Sequence, residues 1–126
     1  MKKNKVTTLP IQLEYNDKIT LTRKLLDIYS SVWRKITLNS KSLLTICLLY
    51  DMNAKGFNSL VVESNIGFKN NSQVKTAMSR LVTDYKFIIV EGRYKKKSLV
   101  PELELIKQFI NVEGEKAIKI VFKEKV

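Results

Sequence analysis

The sequence predicts an α+β domain in which four helices lead into a β-hairpin, flanked by an N-terminal arm and a C-terminal β extension. Three observations predict it. Apolar residues recur at spacings of three and four through residues 20–36, 40–52 and 72–85, the period of a helix with one buried face. The run Phe87-Ile88-Ile89-Val90 is aromatic and β-branched, and Ser98-Leu99-Val100 follows it across a cationic tip, as two short strands of a hairpin would. At 126 residues and 44% hydrophobic, the chain supports one packed domain rather than two. The expected divisions are an arm or edge strand over 1–16, a main domain over 17–101, and an extension over 102–126 packed on the same domain.

The elements follow in order. Leu9, Ile11, Leu13 and Tyr15 alternate weakly on one side of the arm, and Pro10 on the other side has no N–H for a ladder, so an edge strand or extended segment is expected. The first helix starts near Asp17 or Thr20 and runs to about Ile36. Its buried stripe is Leu21, Leu25, Ile28, Tyr29, Val32, Trp33 and Ile36, and its outer face is Arg23, Lys24, Arg34 and Lys35. Ser40 is the expected cap of the second helix (40–52), which carries Leu43, Leu44, Cys47, Leu48 and Tyr50. Gly56 supplies the positive φ expected at its exit. A short helix over 59–65 follows, then the turn Ile66-Gly67-Phe68-Lys69-Asn70 and a helix over 72–85 capped by Asn71 or Ser72. The hairpin strands are 87–91 and 98–100, the second checked by Pro101. Residues 102–109 read equally as strand or helix. A turn containing Gly114 leads to a terminal strand over 117–125, where Ile118, Ile120 and Phe122 alternate with Lys119, Val121 and Lys123.

Charge narrows the function. Lys and Arg number 23 against 12 Asp and Glu, for a formal net charge of +11, which favours a polyanionic partner: nucleic acid or an anionic membrane. The plainer alternative is a basic surface that only maintains solubility. The sequence has a single cysteine and no histidine, so an internal disulfide, a four-cysteine zinc site, histidine metal sites and histidine general bases are all excluded. Cys47 lies in an apolar helical run and reads as a small buried hydrophobe. Asp27, Asp51, Glu63 and Asp84 are scattered, and the Glu102/Glu104 pair, on one side of a strand, reads as a solvated face ahead of a metal site. With no paired-carboxylate site, phosphate-cradling glycine loop or nucleophile triad, no enzyme, catalytic residue, metal or cofactor is expected. No apolar run reaches the ~20 residues of a membrane span. The charged Met1-Lys2-Lys3-Asn4-Lys5 has no apolar segment behind it. A soluble cytoplasmic protein without a membrane partner is the expectation.

Two constellations carry chemistry. The helix over 72–85 has an apolar face of Val74, Ala77, Met78, Leu81, Val82 and Tyr85, and a polar face of Gln73, Lys75, Thr76, Ser79 and Arg80. Helix N-terminal amides favour phosphate, and Asn70, Asn71, Ser72 and Gln73 at that end can bond phosphates or base edges. Gln73 suits adenine and Arg80 suits guanine, with Lys75, Thr76 and Ser79 as secondary contacts. The second constellation is Arg93-Tyr94-Lys95-Lys96-Lys97. Its four cations repel one another unless solvent or a polyanion screens them, each can displace a counterion from DNA, and Tyr94 can bond a phosphate or enter a groove. The plain alternatives are a solvated helix face and a loop whose lysines discourage edge pairing. Trp33 with Tyr29 and Ile36 reads as core or dimer seam ahead of a ligand pocket.

Helix, helix, helix, strand and basic tip is the order a winged helix-turn-helix requires. Thr76-Ala77-Met78-Ser79-Arg80-Leu81-Val82, followed by Phe87-Ile88-Ile89-Val90-Glu91-Gly92-Arg93, resembles the recognition helix and wing of MarR-like winged-helix regulators, over 38–100, roughly half the chain. Two departures stand out: Tyr85-Lys86-Phe87 replaces the usual glycine between helix and strand, and the turn over 56–58 is short. The resemblance implies sequence-selective binding of double-stranded DNA by a transcriptional regulator. Such regulators are commonly homodimers reading two half-sites, and here the first helix and terminal strand would be the dimer elements. Some bind a small-molecule effector, for which nothing in this sequence speaks. The same fold serves phage and plasmid replication initiators and packaging subunits, and a virion or structural protein with a basic surface is a third class. The Lys-, Asn- and Ile-rich composition suits a low-GC genome and a mobile element.

Overall fold

The computed structural model of the chain describes residues 14–29, 36–117 and 124. Among them it has an α+β architecture of five helices and one two-stranded antiparallel sheet. In chain order these are α1 (Lys18–Ile28), α2 (Leu38–Leu49), α3 (Phe57–Glu63), α4 (Asn71–Thr83), β1 (Ile88–Glu91), β2 (Lys96–Leu99) and α5 (Pro101–Ile110).

Three helices start where a short polar side chain takes up an orphan amide. Asp17 accepts from the Thr20 N–H, Thr37 from that of Ser40, and Asn70 from that of Gln73. Two expected caps are therefore corrected. Ser40 is not the cap of α2 but the donor to it, and Asn70, rather than Asn71 or Ser72, caps α4. The Ser40 hydroxyl is buried without a hydrogen-bond partner among the described residues. The buried hydroxyls of Thr22 and Thr45 instead bond the carbonyls of Lys18 and Lys41 one turn back.

α2 is buried at Ser40 and from Ser42 through Leu48, so its apolar residues meet the core on several sides while Lys41 reaches out of it. α1, α4 and α5 pack around it. The core joins Leu25 and Leu26 of α1, Leu43 to Leu48 of α2, Val61, Val74, Leu81, Phe87, Leu103 and Ile110. Cys47 lies inside this core, and burial pushes its thiol up to about 12, so it stays protonated. α1 ends at Ile28, earlier than expected; Val32, Trp33, Arg34 and Lys35 lie outside the described residues, as do Leu9, Pro10, Ile11 and Leu13 of the arm.

Gly56, at φ 84, is the N-cap of α3 rather than the exit of α2, which leaves through an extended Tyr50. Between α4 and β1 the chain reverses without glycine. Lys86 takes φ 56, and the Phe87 N–H returns to the Leu81 carbonyl at 2.9 Å. The rings of Tyr85 and Phe87 stack at 6.1 Å, and the Tyr85 hydroxyl accepts from the Thr37 N–H, which ties the end of α4 to the start of α2.

In the hairpin Ile88 opposes Leu99 and Glu91 opposes Lys96. The loop is Gly92-Arg93-Tyr94-Lys95, with Gly92 and Lys95 both at positive φ. β2 therefore begins two residues before the expected 98–100, and Lys96 and Lys97 are strand residues rather than tip residues. Beyond it the ambiguity of 102–109 resolves as helix α5. Pro101 stands just past the end of β2, as expected, and also starts that helix, and Glu102 and Glu104 stand in its first turn, where the macrodipole favours them. Leu103, Ile106 and Ile110 face the core at helical spacing. The expected β extension is thus corrected over its first part, and the Glu102/Glu104 pair, two apart on a helix, does not share a side. The terminal alternation of Ile118, Ile120 and Phe122 lies outside the described residues.

Candidate nucleic-acid interface

α4 is anchored from within by Val74, Ala77, Met78 and Leu81. At 100° per residue the opposite side carries Ser72, Thr76, Ser79 and Thr83 in a stripe, with Lys75 on one flank and Arg80 on the other; all six are exposed. The stripe is made of hydroxyls. Those of Thr76 and Thr83 donate to the carbonyls of Ser72 and Ser79 one turn back. The faces expected from sequence are thus the faces found, and Thr83 extends the polar one by a turn.

At the N-terminus of α4 the capping is reciprocal. Asn70 Oδ1 accepts from the Gln73 N–H at 3.0 Å, and Gln73 Oε1 accepts from the Lys69 N–H at 2.7 Å. Bidentate pairing with adenine uses both the oxygen and the nitrogen of a glutamine amide. The Gln73 oxygen is already engaged, so the side chain serves the helix start first. Asn71 and Ser72 are exposed beside it. Arg80, about two turns further on, has no side-chain hydrogen bond or ion pair among the described residues and can extend outward.

The hairpin presents the second set. Arg93, Tyr94 and Lys95 occupy the loop, where Tyr94 is 90% exposed. Lys96 is exposed on β2, and Lys97 is half-buried. Lys97 lines a groove of about 350 Å³ with Lys75 and Ser79 of α4, over a floor that includes Met52, Phe57 and Met78. Helix and hairpin therefore contribute cations to the same depression. Lys41 and Asp27, on α2 and α1, form the one ion pair among the described residues, at 3.2 Å. The cations of α4 and the hairpin thus carry no carboxylate partner there.

The residue missed from sequence is Asn53, in the connection from α2 to α3. Its Nδ2 donates to the Lys97 carbonyl at 2.7 Å, and its Oδ1 accepts from the Lys97 N–H at 2.8 Å. The Asp51 carboxylate in turn accepts from the Asn53 N–H at 2.9 Å and fixes the turn that presents it. No local pattern announces this bond, because its partner lies 44 residues away.

Among the described residues no three thiol or carboxylate groups gather as metal ligands, and no helix is long and apolar enough to cross a membrane. Comparison with protein-family models, curated proteins and solved structures finds no match for the chain.

Proposed function

We propose that the chain is a winged helix-turn-helix protein, MarR-like in its order of elements, that binds double-stranded DNA with sequence preference. α4 enters the major groove and the β1–β2 hairpin lies along the adjacent backbone. The observation that carries this reading is that Lys75 and Ser79 of α4 share one groove with Lys97 of the hairpin, on a surface whose cations have no carboxylate partners among the described residues. Phosphate contacts set position and base contacts set sequence. Arg93, Lys95, Lys96 and Lys97 hold the backbone, the Asn70–Gln73 end offers helix amides to a phosphate, and Arg80 reads guanine from the flank of the hydroxyl stripe. The simplest role is a transcriptional regulator acting in the cytoplasm as a homodimer on paired half-sites.

Competition binding on a selected site and on random duplex tests this. Arg80→Ala should cost about 1–3 kcal/mol on the selected site and much less on random DNA. Lys95→Gln with Lys96→Gln should weaken both duplexes alike. Equal losses on both duplexes for Arg80→Ala would move the protein to general nucleic-acid binding, as in replication, packaging or a virion. Failure of the wild-type protein to bind either duplex at low salt would end the DNA reading.

A further inference from the structure

We propose that Asn53 is a positioning residue of the DNA interface, whose side-chain amide acts as a one-residue third strand and fixes the hairpin against the helical body. The inference rests on the DNA-binding reading above. The ladder geometry supports it. The Val100 N–H donates to the Phe87 carbonyl at 3.0 Å, which makes that pair the hydrogen-bonded kind. Counting along the register, Ile89 with Ser98 and Glu91 with Lys96 are also of that kind. Val90 with Lys97 is the other kind, so the N–H and C=O of Lys97 point away from β1, to the outer edge of β2. Asn53 meets both groups there, at 2.8 Å and 2.7 Å, as a neighbouring strand would. A primary amide has the one donor and one acceptor that this requires.

A two-stranded ribbon of four residues a side is marginal alone and free to twist about its base. The base is held by Ile88 and Leu99 in the core. Two residues nearer the tip, the Asn53 amide hydrogen-bonds the outer edge of β2 to the helical body. Asp51 orients Asn53 from the end of α2, so the strap runs from the most buried helix to the backbone of Lys97. It sets the height of Lys97 above α4, and through the strand it sets the direction of Lys96, Lys95 and Arg93. A hairpin without the strap keeps its charges and loses their placement.

The test is a double-mutant cycle between Asn53→Ala and a variant with Lys95→Gln, Lys96→Gln and Lys97→Gln, read by duplex affinity and by amide hydrogen exchange in the free protein. Asn53→Ala should speed exchange of the Lys97 amide by about fivefold or more, on the order of one lost hydrogen bond. It should weaken duplex binding by about 5–20-fold in the wild-type background and by less than about twofold where the three lysines are already neutral, since a misplaced hairpin then has nothing to deliver. A purely structural role would give the same loss in both backgrounds. Equal losses, or unchanged exchange at Lys97, overturn the proposal. A wild-type protein that binds no duplex removes the DNA-binding reading and this inference with it. A wild-type protein that binds, with additive losses, removes this inference alone.

Discussion

At the start of α4 two side chains serve each other's backbone, Asn70 holding the Gln73 amide and Gln73 holding that of Lys69. Asn70→Ala should therefore destabilise the protein by about 1 kcal/mol, measured by urea unfolding. Gln73→Ala should lower stability as well, and its effect on DNA should be similar on preferred and random duplexes, unlike that of Arg80→Ala. Asp17 makes a second residue-level case. The Thr20 backbone N–H, then the Thr20 hydroxyl, holds its carboxyl below the usual range. A lowered value in the folded state contributes stability above the unfolded carboxyl value, roughly pH 4, and that contribution is lost as pH falls through the folded value. The Tm of the wild-type protein should exceed that of Asp17→Asn at pH 6, and the gap should close in acid. The class of capping residue was legible in the sequence for α1, α2 and α4, since Ser, Thr, Asn and Asp cluster at those helix starts. Which member caps was not, because Thr37 and Ser40 differ only in backbone geometry. Asn53 was illegible for another reason: its bonds to Lys97 span the fold.

At the scale of elements the helical periods were the readable part, and connections carried most of the corrections. Residues 102–110 offered alternating Leu103 and Leu105 as well as the helical set Leu103, Ile106 and Ile110. Burial of the second set decides for α5, and Leu105 is left 65% exposed. β2 began early because the lysines of a strand look the same in sequence as those of a loop. The link from α4 to β1 has a testable cost. Lys86 sits in the left-handed region, where a side chain crowds the following carbonyl and glycine does not. Lys86→Gly should leave stability unchanged or raise it by up to about 1 kcal/mol, read as a shift in denaturation midpoint at constant slope. In α2, Leu44→Ala removes a fully buried side chain and should cost about 2–5 kcal/mol by the same measurement.

For the whole molecule, a net charge of +11 is a statement about solution behaviour as much as about a site. If a dimer neutralises about 4–8 phosphates through its hairpins and helices, the log–log slope of duplex affinity against salt should be roughly −4 to −7. Binding indifferent to salt between low and physiological strength would contradict that footprint. Composition and element order carried the α+β class and both faces of α4. They could not carry the joint between hairpin and helices, because a groove lined by Lys75 and Lys97 exists only once residues far apart in sequence are folded together.

Cys47 is the chain's single cysteine, fully enclosed in the core with its thiol pushed up to about 12. A thiol so placed is inert toward maleimides and disulfide reagents at neutral pH. The folded protein is therefore ready for single-site chemistry without first removing a native cysteine. Tyr94→Cys would install one reactive sulfur at a position of the hairpin loop that is 90% exposed. A fluorophore or a tethered-duplex disulfide attached there would report directly on whether that loop meets DNA.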